Sequence, residues 1–166
     1  VEPEVLMDGD HSIEVCYEVT ERMLRAVFEQ LGAHRVSLPG TLLKTNMVLS
    51  GKDAPERAGV EEVARRTVEC LTAVVPSEIP GIVFLSGGQS DEEATAHLNE
   101  MNRSGGSLPW QLSFSYGRAL QAPSIKAWKG EQANVEAGQK ALYHRARLNG
   151  AARDGSYSPE MENEAA

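Results

Sequence analysis

LPGTLLK, residues 38 to 44, is the stretch of sequence that decides the fold. Its first three residues, leucine, proline and glycine, interrupt the regular secondary structure. The four residues that follow form a short, largely apolar and extended run, as expected of a buried parallel strand. Apolar residues recur at helical spacing before this strand, over residues 13 to 31, and after it, over residues 60 to 74. A strand between two amphipathic helices is typical of an α/β fold with a parallel sheet.

Three more strands are predicted along the chain, at residues 1–6, 82–85 and 110–115. Helical patterns separate them: one helix opens with the capping pair Ser90 and Glu93, and an alanine-rich helix spans about residues 134 to 153. Strands therefore alternate with helices four times. This pattern predicts a parallel sheet with helices outside, as in half of a (β/α)8 TIM barrel.

The predicted organisation is one domain over residues 1–154 and a flexible acidic tail over residues 155–166. A complete barrel of this kind needs about 250 residues, so four units would leave two open sheet edges. Val1 already lies in a strand-like run, so we expect the sequence to be part of something longer.

Composition and charge argue against several classes of protein. The 16 basic and 24 acidic residues give a net charge of −8, which opposes binding to nucleic acid. No apolar run approaches the roughly 18 residues that a membrane span needs. Cys16 and Cys70 are far apart and lack a CxxC motif, so we interpret them as buried thiols in a reducing compartment, the cytoplasm. The spacing of the four histidines favours no metal site.

Lys44 is the first candidate site residue, because chemistry in such barrels lies at the carboxyl ends of the strands. It directly follows Leu42 and Leu43, so its amine is expected to be partly desolvated, which suits a nucleophile that forms an imine with a carbonyl. The alternative is an ordinary lysine where a strand meets solvent. Lys44 alone does not separate the two interpretations.

Glu2 and Glu4 form a candidate carboxylate pair. They are two residues apart in a predicted strand, so they face the same side. Such a pair can divide into one proton donor and one charged partner, which suits acid/base work beside an imine. The alternative is a pair of surface charges near a chain end.

A glycine-rich turn is a candidate anion site. Residues 86–88, Ser-Gly-Gly, lie between a strand and a helix N-terminus, where backbone N–H groups can point toward a phosphate. Alone, this sequence is more often a tight turn. The next strand end supplies Ser115, Gly117 and the guanidinium of Arg118, which suits phosphate. Phosphate sites in barrels often use the last two strand loops.

Four motifs span the ordered chain: VEPE at residues 1–4, GTLLK at 40–44 followed by NMV at 46–48, FLSGGQS at 84–90, and FSYGRALQ at 114–121. Together they resemble the class I, lysine-dependent fructose-bisphosphate aldolases. The resemblance covers roughly the second half of the family's length, from the fifth barrel strand onward. It implies a (β/α)8 barrel of which this chain supplies about the last four β/α units.

The resemblance also implies roles for these residues. Lys44 would form a Schiff base with the ketose carbonyl, and the iminium would act as an electron sink while the C3–C4 bond breaks. Glu2 would transfer protons, and Glu4 would orient the site near the lysine. The residues implied to hold a substrate phosphate are Ser86, Gly87, Gly88, Ser115, Gly117 and Arg118.

The implied reaction is the reversible cleavage of fructose 1,6-bisphosphate to dihydroxyacetone phosphate and glyceraldehyde 3-phosphate, in glycolysis or gluconeogenesis. The partner is therefore a phosphorylated ketose, and neither a cofactor nor a metal is implied. Full-length members of the family are commonly homotetramers. Thr45 stands where the family often has proline, and the chain ends without the terminal tyrosine of animal and plant members, which favours a bacterial or a truncated form.

Two alternatives remain open at this point. The acidic and basic residues that the family carries on its first four strands are absent, so we expect the isolated segment to lack part of its active site. It could then be a catalytically silent scaffold that binds a partner through open sheet edges. Another lysine-dependent lyase or a transaldolase-type barrel is the second alternative, against which the phosphate loops and the four motifs argue.

Overall fold

A parallel sheet of three strands lies at the centre of the computed structural model, which describes residues 1–164. The strands are β1 (Leu42–Thr45), β2 (Gly81–Phe84) and β3 (Gln111–Phe114), and they lie side by side in chain order. In the register, Lys44 pairs with Val83, which pairs with Ser113. Three of the four predicted strands are thus confirmed, together with their parallel direction.

Five helices connect and cover these strands: α1 (Ile13–Ala33), α2 (Val60–Val74), α3 (Asp91–Ser104), α4 (Arg118–Trp128) and α5 (Val135–Arg153). The predicted capping box of α3 is present, with Ser90 and Glu93 each bonding the other's backbone N–H. Helix α4 was not predicted, because Pro123 interrupts its pattern. None of the helices within residues 1–164 has the length and apolar character needed to cross a membrane.

The sheet is buried on one face only. Leu43, Ile82 and Phe84 point to the helices and belong to the core, whereas Leu42 and Lys44 point to the other side, where Leu42 is 54% exposed. In a complete barrel this second face is the interior. The open face is therefore what half of such a barrel presents.

Residues 1–6 are not a fourth strand, which corrects the prediction. The pairing begins correctly, because the Val1 ammonium donates to the Leu42 carbonyl (3.0 Å) and the Lys44 amide donates to the Val1 carbonyl (2.8 Å). The next donor of a parallel ladder would be the amide of residue 3, which is Pro3 and has no hydrogen to donate. The ladder therefore stops after one step.

Residues 155 to 164 of the predicted tail make contacts with helix α5. Tyr157 is buried, and its hydroxyl donates to Glu162 (2.9 Å). The other carboxylate oxygen of Glu162 accepts from Arg145 of α5 (2.5 Å). Acidic composition suggested a solvated tail, but this glutamate has a buried basic partner. Residues 165 and 166 of the predicted tail lie outside the described residues.

Candidate active site

An open cleft of about 260 Å³ lies at the carboxyl ends of the three strands. Because the strands are parallel, their ends bring residues that are far apart in sequence to one edge of the sheet. Every predicted site residue except Gly88 lines this cleft, together with one apolar residue, Leu85, that was not predicted. The lining residues are Glu2, Glu4, Lys44, Leu85, Ser86, Gly87, Ser115, Gly117 and Arg118.

Lys44 and Glu2 form an ion pair in the cleft. The Lys44 Nζ lies 3.0 Å from the Glu2 Oε2, and the two side chains are 30% and 69% exposed. The hydrogen bond from the ammonium, and then its charge, hold the pKa of Glu2 below its ordinary value. A carboxylate within hydrogen-bond distance of an amine can accept the proton that the amine must lose before it attacks a carbonyl.

Glu4 also lines the cleft and lies beside the glycine-rich turn. A Cβ atom at position 87 would be 3.3 Å from the Glu4 Oε1 and 3.8 Å from an Arg118 guanidinium nitrogen. Gly87 therefore leaves the space in which a carboxylate and a guanidinium converge. This arrangement places one negative and one positive group beside the same stretch of backbone.

The two predicted phosphate loops are joined directly. The Ser86 hydroxyl, which is buried, accepts from the amide of Ala119 (3.3 Å) in the first turn of α4. Gly117 is the N-cap of this helix and has no side chain, and Arg118 is its first residue. The positive end of the helix dipole and an exposed guanidinium at one point favour an anion.

Gly88 is the predicted site residue that does not reach the cleft. Its φ of +79° is in the left-handed region, and a Cβ there would lie 2.5 Å from the Cβ of Met7. Its carbonyl accepts from the Arg57 guanidinium (3.1 Å). The backbone conformation of the turn thus requires glycine at this position, where the sequence suggested a ligand contact.

A buried amide next to the cleft was missed by the sequence analysis. Asn46, 1% exposed, follows β1 and contacts the segment that carries the two glutamates, since its Oδ1 accepts from the amide of Val5 (3.0 Å). The available signal was a polar residue next to the apolar run of Met47 and Val48. A polar residue is buried in such a run only when its hydrogen bonds are made.

A larger cleft, of about 530 Å³, lies between the beginnings of α1 and α2. Its charged lining residues are acidic, including Asp10, Glu14 and Glu62, except for the basic Arg57. It contains none of the predicted site residues. Across residues 1–164, no three His, Cys, Asp or Glu side chains are grouped so that they could hold a metal ion.

Comparison with known proteins gives one consistent result. A family model described as fructose-bisphosphate aldolase class-I matches residues 1–166. A probable fructose-bisphosphate aldolase class 1 of Xanthomonas campestris pv. campestris is 57% identical over 95% of the chain and 47% of its own length. Fructose-bisphosphate aldolase 4, cytosolic, of Arabidopsis thaliana is 50% identical over 98% of the chain and 41% of its own length.

Among solved structures, the fructose-bisphosphate aldolase of Plasmodium falciparum, in complex with TRAP and a small-molecule inhibitor, superposes with a TM-score of 0.92. It is 47% identical in sequence, and the match covers 95% of this chain and 45% of the other. The chain therefore spans less than half the length of these relatives, and the fold of the matched part is the same.

Proposed function

The chain belongs to the class I fructose-bisphosphate aldolases, and we propose that it supplies the carboxyl-terminal half of an enzyme that reversibly cleaves fructose 1,6-bisphosphate. The products are dihydroxyacetone phosphate and glyceraldehyde 3-phosphate. The observation that carries this proposal is the 3.0 Å contact of Lys44 with Glu2 in a cleft that the other proposed site residues line.

Lys44 is the proposed nucleophile. After it loses its proton, its amine adds to the C2 carbonyl of the ketose, and loss of water leaves an iminium. The positively charged iminium draws electrons from the C3–C4 bond once a base removes the proton of the C4 hydroxyl. The bond then breaks, the aldehyde leaves and an enamine remains on Lys44. Protonation of the enamine at C3 and hydrolysis release dihydroxyacetone phosphate and the free amine.

Glu2 is the proposed proton-transfer residue, because it is the carboxylate in contact with the amine. The proton transfers in these steps take place at atoms close to the Lys44 nitrogen. One carboxylate 3.0 Å from that nitrogen can therefore serve several of these transfers. Glu4 has the proposed role of orienting the site from the side of Gly87.

The proposed phosphate site lies at the start of α4. Ser86, Gly87, Ser115, Gly117 and Arg118 supply hydroxyl groups, backbone amides and a guanidinium around one end of the cleft. Binding a phosphate here would hold the carbonyl carbon of the same substrate near Lys44. We propose that Gly88 contributes the conformation of the turn rather than a contact.

Further properties are proposed from the family. The reaction uses no cofactor or metal, because the iminium supplies the electron sink. A cytoplasmic location agrees with the two buried free thiols and with the Arabidopsis relative, whose name includes the word cytosolic. We propose that the complete protein is a homo-oligomer, a tetramer as in the family.

Borohydride trapping tests the proposed function in the complete protein that carries this chain. Dihydroxyacetone phosphate and borohydride are expected to convert Lys44 to a stable secondary amine, which peptide mass spectrometry locates. The matched control is Lys52→Met, which removes a lysine that is also paired with a carboxylate, Asp8 (2.7 Å), outside the cleft. This variant should form the adduct normally.

Each alternative predicts a different result. A silent scaffold would form no adduct in the complete protein, and that result would contradict the proposal. A different lysine-dependent lyase would form the adduct but would not cleave fructose 1,6-bisphosphate. Cleavage together with an adduct on a lysine other than Lys44 would show that the residue is wrongly assigned.

A further inference from the structure

The backbone of the segment that carries Glu2 and Glu4 is hydrogen-bonded to the rest of the protein near its two ends. At one end, Val1 bonds the backbone of β1 at Leu42 and Lys44. Pro3 cannot continue that ladder, because it has no amide hydrogen. The backbone hydrogen bonds therefore leave the two carboxylates on an extended segment whose pairing with β1 stops after one step.

The second attachment is the side chain of Asn46. Its Oδ1 accepts from the amide of Val5 (3.0 Å), directly after Glu4 in the chain. Its Nδ2 donates to the Thr20 hydroxyl on α1 (3.0 Å) and to the Met47 carbonyl (3.1 Å). A single amide thus links the carboxylate segment, a helix and the chain two residues after Lys44.

We propose that Asn46 is a positioning residue that holds the Glu2–Glu4 segment at a fixed distance from Lys44, in place of the backbone ladder that Pro3 interrupts. This inference rests on the proposed function, in which the contact between Glu2 and Lys44 transfers protons. Asn46 itself does not line the cleft and does not touch the substrate site.

The chemistry of the amide explains why this residue suits the position. It must accept from one backbone N–H and also donate to a hydroxyl and a carbonyl, and only an uncharged amide does both with one side chain. A leucine of similar size could not accept from Val5. An aspartate could not donate to the Met47 carbonyl and would bring a charge into a buried site. Because Asn46 is fully buried and bonded on both sides, its orientation is rigid.

The test is the kinetics of Asn46→Ala in the complete protein. We expect kcat to fall about tenfold, which is less than the roughly hundredfold cost of a 1 Å displacement at a reacting group. KM should change less than twofold, because the proposed phosphate site is untouched, and Lys44 should still be trapped by borohydride. The acid limb of kcat/KM should move to higher pH, because Glu2 would lose the Lys44 contact that lowers its pKa.

Substitutions of two threonines give a matched pair of variants in which the Asn46 side chain is retained. Thr20 and Thr67 are both buried, and each Oγ1 accepts a hydrogen bond from the chain after β1, Thr20 from Asn46 and Thr67 from the Val48 amide (2.9 Å). Thr20→Val should lower kcat about threefold by freeing one end of Asn46, whereas Thr67→Val should lower stability without changing kcat or the pH profile.

The outcomes separate this inference from the proposed function. A wild-type protein with neither turnover nor adduct would contradict the proposed function itself. An active wild type, with Asn46→Ala unchanged in kcat and pH profile, would overturn the positioning role alone. If Asn46→Ala does not fold, the threonine pair decides: equal kcat values in Thr20→Val and Thr67→Val would overturn the proposal, and a lower value in Thr20→Val alone would support it.

Discussion

Two ion pairs in this chain join the same kinds of group in opposite surroundings. Lys44 and Glu2 meet in the open cleft, with side chains 30% and 69% exposed. Arg145 and Glu162 meet where α5 contacts residues 159–163, and their side chains are 5% and 16% exposed. The buried arginine also donates to the Asp91 carbonyl and to the Thr95 hydroxyl. Its partners therefore lie on two separate parts of the chain, helix α3 and residues 159–163.

The difference shows that the burial of each pair, and the chemistry of its basic residue, decide what the pair can do. A buried arginine stays charged and cannot give up a proton, so Arg145 can only hold its partners together. A lysine can lose its proton, and Lys44 has a carboxylate beside it and solvent access for a substrate. The open pair is thus suited to a reaction, and the buried pair to stability.

The largest expected effect is on turnover, from Lys44→Met. If the open pair is catalytic, cleavage of fructose 1,6-bisphosphate should fall on the order of 10⁴-fold or more, because the nucleophile is lost. The melting temperature should remain close to that of the wild type, since exposed pairs contribute little. Steady-state kinetics and thermal unfolding measure both quantities. Retention of most of the activity would contradict the catalytic interpretation.

Arg145→Met should show the opposite pattern. It leaves Glu162 without its buried partner, and we expect unfolding to become easier by about 3–5 kcal/mol. The kcat of the folded enzyme should be nearly unchanged. Chemical denaturation gives the free energy of unfolding. Lys140→Met, which breaks an exposed pair with Glu136 on the same helix, is the control and should change the free energy of unfolding far less. Equal costs in the two variants would refute the comparison.

Tyr157→Phe tests a single hydrogen bond at the buried pair. Removing the hydroxyl that donates to Glu162 should cost about 1–2 kcal/mol of unfolding free energy, since the acceptor is charged. Tyr143→Phe is the matched control, because that side chain is exposed on α5. A loss as large as that of Arg145→Met would mean that the tyrosine, and not the arginine, organises this region.

The smallest expected effect is a change in titration. The Lys44 ammonium lowers the pKa of Glu2 from its ordinary 4.5, so this contact adds stability above about that pH and loses it as the pH falls through the lower value of the folded state. In Lys44→Met the pKa of Glu2 should return toward 4.5, as followed by NMR. Asp8, whose pKa Lys52 lowers, is the internal control and should not change.

Much of the cleft could be predicted because parallel strands bring their carboxyl ends to one edge, whatever lies between them in sequence. Lys44 lies near the end of β1, Ser86 and Ser115 follow β2 and β3, and all three residues line the cleft. Gly88 could not be separated from Gly87 by sequence, because both are glycines in one turn. Only the φ of Gly88 and its approach to Met7 distinguish them.

The sequence by itself determined the α/β class, the three strands, four of the five helices and the family, because each depends on local periodicity or on motifs that a short segment carries complete. The tertiary structure decided how Lys44 is used. It alone brings Glu2 to within 3.0 Å of that lysine and places Asn46 where the ladder ends. These features depend on contacts between residues more than forty positions apart, and no local pattern encodes such distances.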